Sequence, residues 1–236
     1  MRIGIIAALP GELKPLVRGW QASTLKDGTR LWTRTVPNGD VWVAACSGMG
    51  AEAARRAFAG AEAGGPLDQV LSVGWAGAVF EGVKPGEALR LSAIIDAKTG
   101  ERFQAASGRP KTELVTAARV VDGREKTRLR ATYPHAVMVD MEAATIARLA
   151  LMRGIPLICI KGVSDGVGAA LPDLNPYLSS KGQLRLLPFL AHLAVRPTYW
   201  KSIAELNRNS SNAAKTMCDL IIEFLEDQNV DQLNRT

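Results

Sequence analysis

No run of this 236-residue chain is apolar for the roughly 18 to 20 residues a bilayer-spanning helix needs, which excludes an integral membrane helix. The apolar start, Gly4 to Ala8 after Arg2, is too short for a signal peptide, so a cytoplasmic location is expected. Cysteine is scarce. Cys46, Cys159 and Cys218 are odd in number, widely spaced and set in apolar surroundings, which argues against a disulfide framework or a zinc site and for reduced, buried thiols. The two histidines, His135 and His192, lack metal-ligand spacing, and no metal is expected. Aromatic residues make up 6%, with no basic stripe interleaved among them, so the formal charge of +6 gives little support to nucleic-acid binding. The densest basic run, Arg124 to Arg130, is broken by Glu125 and reads as the solvated face of a helix. Arg196, Trp200 and Lys201 lie near apolar helical positions, a pattern that a core or dimer helix explains, with a membrane-surface contact as the minor alternative. Gly/Ser/Pro linkers, internal repeats and low-complexity segments are all missing. With 47% hydrophobic and 22% charged residues, residues 1–236 read as one soluble α/β domain with an extended helical tail over about 184–228.

What is present is an alternation of short apolar runs with helical periodicity. Arg2 to Ala8 reads as a buried strand, followed by a helix from Gly11 to Trp20 after the Pro10-Gly11 turn. Leu31 to Val36 and Val41 to Cys46 flank Pro37-Asn38-Gly39-Asp40, a hairpin signal. Ser47-Gly48-Met49-Gly50 opens an alanine-rich helix to about Ala63, and Gln69 to Val73 is a buried strand ending at a glycine turn. Glu87 to Asp96 and Thr116 to Val121 read as strands, with Lys111 to Val115 ambiguous. Ala136 to Asp140, Met141 to Met152 and Pro156 to Ile160 then read strand, helix, strand. The fold class that follows is a three-layer α/β/α domain with a mixed, mainly parallel sheet. In such a sheet Asp140, Glu142, Ser164 and Asp165 stand at the carboxyl ends of neighbouring strands, where open α/β sheets hold ligands.

Four motifs in order, Met1 to Leu13 with Glu12, Gly74-Trp75-Ala76-Gly77, Asp140-Met141-Glu142-Ala143 and Ser164-Asp165, resemble the nucleoside phosphorylase and nucleosidase superfamily, most of all the methylthioadenosine/S-adenosylhomocysteine nucleosidases. The likeness covers most of residues 1–165. Beyond it, the tail resembles the hopanoid-associated phosphorylase branch of the same superfamily.

The resemblance implies cleavage of the N-ribosyl bond of an adenine nucleoside or thionucleoside. Glu12 would activate the attacking water, although a glutamate in a first helical turn is also ordinary surface chemistry. Asp165 would protonate N7 of the departing purine, a general-acid step typically contributing about 100 to 10,000-fold. Ser-Asp-Gly is also common turn chemistry, and it is the preceding buried strand and the companion motifs that favour catalysis. Ser164 would orient Asp165 or cap a turn. Glu142 would bind the ribose hydroxyls and stabilise positive charge on the sugar, while Met141 packs on its face. Gly74 and Gly77 would allow close approach to a ligand. Val121 aligns with a position whose backbone touches the base.

The departures bear on the nucleophile. Trp75 replaces a small serine, Asp140 a glutamate, and Lys161 stands where many relatives have arginine, making a two-pronged contact a point charge. The arginines of a phosphorylase phosphate clamp are missing from Leu9 to Lys14 and from Ser72 to Gly77. Water is therefore expected as nucleophile, with no cofactor. Phosphate would be co-substrate if Arg55, Arg90, Arg102 or a partner subunit held it. A silent nucleoside binder is the reading from a different class. A homodimer is expected by resemblance.

Overall fold

The computed structural model describes residues 1–106, 108–169, 172–173, 175–177, 179, 182 and 196–233. Among these residues ten strands are arranged as β1 (Arg2–Ala7), β2 (Gln21–Thr24), β3 (Arg30–Thr35), β4 (Val41–Cys46), β5 (Gln69–Ala78), β6 (Ala88–Asp96), β7 (Arg102–Gln104), β8 (Arg109–Thr116), β9 (Ala136–Asp140) and β10 (Leu157–Asp165). The helices are α1 (Pro10–Leu13), α2 (Ala51–Glu62), α3 (Gly123–Thr132), α4 (Ala143–Arg153) and α5 (Trp200–Leu233).

One sheet contains all ten strands. Its open part runs β5-β1-β4-β3-β2, with β1 parallel to both β4 and β5. The rest closes on itself, because β5 pairs with β10, β10 with β6, β6 with β8, β8 with β9, and β9 returns to the end of β5. The long strand β5 belongs to both parts. Its first half lies against β1 and its end, Gly77 and Ala78, against β9. Closing five strands into a ring leaves them no free edge and gathers the ends of β5, β9 and β10 around one opening.

Helices cover both faces, completing the three layers expected from the alternation of elements. Phe58 and Ala61 of α2 and Ile146 and Ala150 of α4 pack into one apolar core. On the other face Leu13 of α1 and Met217, Ile221 and Leu225 of α5 pack against Ile5, Leu71 and Ile160. The buried positions of α5, from Ser210 through Ala213, Ala214, Met217, Cys218, Ile221, Phe224 and Leu225, recur every three or four residues, as a helix lying along a sheet requires. Here β10 comes so close that a Cβ on Gly162 would stand 2.7 Å from the carbonyl oxygen of Ala213.

Several boundaries differ from the expectations. The helix after Pro10 is a single turn, because Pro15 has no N–H to continue it. The strand expected at Thr116 to Val121 is β8, which ends at Thr116; Val120 instead bonds through its N–H and C=O to the side-chain amide of Asn175, both at 3.0 Å. β2, four residues exposed along their length, and the three-residue β7 are too short to stand out in the sequence and were not expected. The expected tail over 184–228 contains one long helix from Trp200, while its part over 184–195 and His192 lie outside the described residues. Among the described residues no helix is long and apolar enough to cross a membrane.

Candidate active site

The opening above β5, β9 and β10 is a cavity of about 1030 Å³. All seven expected site residues line it: Glu12, Gly77, Val121, Met141, Glu142, Ser164 and Asp165. Met49, Trp75, Lys126, Asn175, Leu206 and Ser210 complete much of the wall.

Glu12 sits in the single turn of α1, folded back on the end of β1. Its Oε2 accepts the backbone N–H of Ala8 (2.8 Å) and Leu9 (2.7 Å), and its Oε1 that of Trp75 (2.8 Å). Burial raises its carboxyl above the ordinary 4.5, opposed by these three bonds and by the charge of Lys161. A nearby glycine permits this arrangement. Gly74 has φ +129°, and a Cβ there would stand 2.9 Å from Glu12 Oε1. The close approach expected of Gly74 is thus to Glu12 and not to a ligand. Trp75 spans the gap to α5, its indole N–H donating to the carbonyl of Ser210 (2.9 Å).

Glu142 begins α4. Its Oε1 accepts the N–H of Gly50 at 2.6 Å, so the Ser47–Gly50 turn orients this carboxyl. Arg56 and Thr29 hold that turn through the Ser47 hydroxyl. Burial, then the neighbouring charge of Asp140, pushes Glu142 up to about 8.

Asp140 was expected to face the crevice, but its carboxylate is sealed from solvent. It accepts from Lys161 Nζ (3.0 Å), from the Thr116 hydroxyl (2.7 Å) and from the N–H of Ala143 (3.0 Å). The Thr116 oxygen in turn accepts from the N–H of Ala144 (2.9 Å), so the pair of side chains caps the start of α4. Lys161, 1% exposed, also donates to the carbonyl of Val73 (3.1 Å). It is a buried counter-charge beneath the glutamates, and not a contact for a ligand. Burial opposes its charge, but Asp140, Cys159 and Glu142 raise its pKa.

At the opposite end, the Ser164 hydroxyl donates to Asp165 Oδ1 at 2.6 Å. Asp165 Oδ2 is bound by the ammonium of Lys126, which also donates to the carbonyl of Gly166 (2.8 Å). Gly77 makes room for this pair, since a Cβ there would lie 3.0 Å from Lys126 Nζ and 3.1 Å from Asp165 Oδ2.

Sequence reasoning missed Lys126, assigned to a solvated helix face. The signal was present, because 126, 129 and 133 share one face and Leu129 and Tyr133 pack against the core beside β8 and β9. Asn175 carried no comparable signal. The three arginines considered for phosphate lie away from the cavity: Arg55 pairs with Glu52, Arg90 with Glu223 and Arg102 with Glu113. Cys46, Cys159 and Cys218 are free and buried, each thiol pushed up to about 12 by burial. His135 is exposed.

A ring-closed, helix-covered sheet with acidic side chains at its strand ends defines an α/β class that comparison identifies directly. The profile of the phosphorylase superfamily matches residues 2–117 and 99–176, and the chain belongs to that superfamily of enzymes. Among solved structures, it resembles the 5′-methylthioadenosine/S-adenosylhomocysteine nucleosidase of Helicobacter pylori, crystallised with butyl-thio-DADMe-Immucillin-A (TM-score 0.72, 13% identity, 96% of this chain and 98% of that one). The corresponding nucleosidase of S. pneumoniae gives 0.71 at 20% identity over 95% and 98% of the chains. Futalosine hydrolase of H. pylori gives 0.71 at 12% over 96% and 98%. At these identities the likeness is one of fold. No curated protein matches the chain in sequence.

Proposed function

We propose that this protein hydrolyses the N-ribosyl bond of a purine nucleoside or thionucleoside. The observation that carries the reading is the convergence on one cavity of three acidic side chains from three separate elements: Glu12 after β1, Glu142 after β9 and Asp165 at the end of β10. Breaking a glycosidic bond to a purine needs a nucleophile at the anomeric carbon, stabilisation of the positive charge that builds on the sugar, and help for the departing base. Glu12 is the group for water: it is buried, fixed by three N–H donors, and held above the ordinary carboxylate range. Glu142 is the group for the ribose hydroxyls, with Met141 beside it. Asp165, with Ser164 and Lys126, stands at the base.

Water is favoured over phosphate because the described lining around Glu12 and Glu142, namely Ala8, Leu9, Met49, Trp75 and Met141, offers no arginine or lysine to hold an anion. The described arginines that line the cavity are Arg119, before α3, and Arg124, in the first turn of α3, the helix whose Lys126 binds Asp165. The cavity is large enough for a nucleoside with a sizeable 5′ substituent, with Leu206 of α5 as one apolar wall. A cytoplasmic homodimer working without cofactor accompanies the reading.

The test is release of adenine from methylthioadenosine, S-adenosylhomocysteine and adenosine, with and without phosphate, followed by chromatography of the sugar. Free sugar formed without phosphate supports hydrolysis. Strict phosphate dependence with a sugar 1-phosphate makes the protein a phosphorylase. Binding without release, across a wider set of 5′-substituted nucleosides, makes it a silent binder.

A further inference from the structure

We infer that Lys126, and not Asp165, carries the proton to the leaving base; this rests on the N-ribosyl cleavage proposed above. The ammonium of Lys126 is nine-tenths or more buried at 4% exposure, lines the cavity, and is fixed by Asp165 Oδ2 and the carbonyl of Gly166. A lysine ammonium has three N–H donors, and those two bonds occupy two of them. Asp165 has the opposite character: one oxygen takes the Ser164 hydroxyl and the other takes Lys126, so both bonds engage it as an acceptor. In this ion pair the proton at hand beside the cavity is on the nitrogen.

The pair also suits what it would meet. The edge of adenine next to the scissile bond shows an acceptor, N7, beside a donor, the exocyclic amino group. An ammonium next to a carboxylate offers the complementary donor and acceptor. In the step itself the C1′–N9 bond breaks and its electron pair passes to N9, while an N–H proton of Lys126 moves to N7, so adenine leaves as a neutral base. Water gives its hydroxyl to C1′ and its proton to Glu12, and exchange with solvent returns a proton to Lys126 and removes one from Glu12. Asp165 is then a positioning residue for Lys126 that also receives the amino group. Gly77, whose missing side chain leaves space for the pair, belongs to the same device.

The experiment compares the unsubstituted protein with Lys126→Met and Lys126→Ala on two kinds of substrate. One is the nucleoside that gives the fastest base release among adenosine, methylthioadenosine and S-adenosylhomocysteine. The other is p-nitrophenyl ribofuranoside, whose leaving group departs as a stable anion and needs no proton. We expect Lys126→Met to lose about 100 to 10,000-fold in kcat on the nucleoside and no more than about tenfold on the nitrophenyl riboside. Ethylamine in the buffer should restore part of the nucleoside activity of Lys126→Ala, a response a merely structural lysine would not give. Thermal melts establish that each variant is folded. Unchanged nucleoside turnover in Lys126→Met, or equal losses on both substrates in a folded variant without amine rescue, overturns the assignment while leaving the cleavage reading intact. Failure of the unsubstituted protein to release either base or nitrophenolate overturns both.

Discussion

Replacing Glu142 with Gln should remove a large pH dependence from the stability of this protein. The buried carboxyl of Glu142 rises from 4.5 to about 8 in the folded chain, through burial first and then the charge of Asp140. Between those pH values the folded state keeps a proton that the unfolded chain has released. The state that binds more protons is favoured as pH falls, so this contribution is fully present below the unfolded value and is lost as pH rises through about 8. At about 1.4 kcal/mol for each pH unit separating the two values, the whole span is on the order of 5 kcal/mol. Glutamine mimics the protonated acid, since its carbonyl oxygen can still accept the N–H of Gly50 and it has no proton to lose. Urea unfolding of both proteins from about pH 5 to about pH 9 measures the difference. The two should agree within about 1 kcal/mol at the acid end, and the Gln variant should become several kcal/mol more stable at the alkaline end. Parallel curves across that range would refute the reasoning, because they would mean that Glu142 folds with an ordinary carboxyl.

Gly74→Ala should lower kcat/KM for base release at least tenfold and cost about 1–3 kcal/mol, since it places a Cβ against Glu12 at a left-handed backbone position; steady-state kinetics and denaturant midpoints check both. Asp140→Asn and Lys161→Met should each cost about 3–5 kcal/mol by leaving a buried charge without its partner, which calorimetry would register as a fall in Tm of about 6–20 °C. The double variant should recover part of that loss, and simple addition of the two costs would count against the pair. Trp75→Phe removes the indole bond to Ser210 at a cost of about 0.5–1.5 kcal/mol, and limited proteolysis should then cut the first turns of α5 sooner.

The ends of β9 and β10 were legible in the sequence because each closes on an aspartate, and that of β1 because the Pro10-Gly11 turn follows it; five of the seven expected residues that line the cavity, Glu12, Met141, Glu142, Ser164 and Asp165, stand at these ends. Less legible was anything decided by contacts distant in sequence. Asp140 reads as a strand-end carboxylate at the crevice and Lys161 as a point charge in place of an arginine, yet they neutralise one another under the floor of the site. Val120 and Val121 have strand composition, but the partner of Val120 is a side chain 55 residues away. Lys126 was hidden by its basic neighbours: charge dominated the run, while helical period showed which lysine turned inward. Gly74 shows the same limit at the backbone, since neighbouring residues indicate a turn there and only the folded chain shows what the turn makes room for.

The way α5 backs the site also determines when the site can exist during synthesis. The Cys218 thiol donates to the carbonyl of Glu12 across 206 residues of sequence, Met217 Sδ accepts the N–H of Gly74, and Ser210 receives the Trp75 indole. The loop that holds Glu12 leaves the ribosome well before these supports do. A nascent chain that has completed every strand still lacks these supports until α5 has emerged and docked on β10. The scaffold of the site is thus completed only when α5 docks, and a chain that stops before α5 retains the acidic residues without the supports that position them.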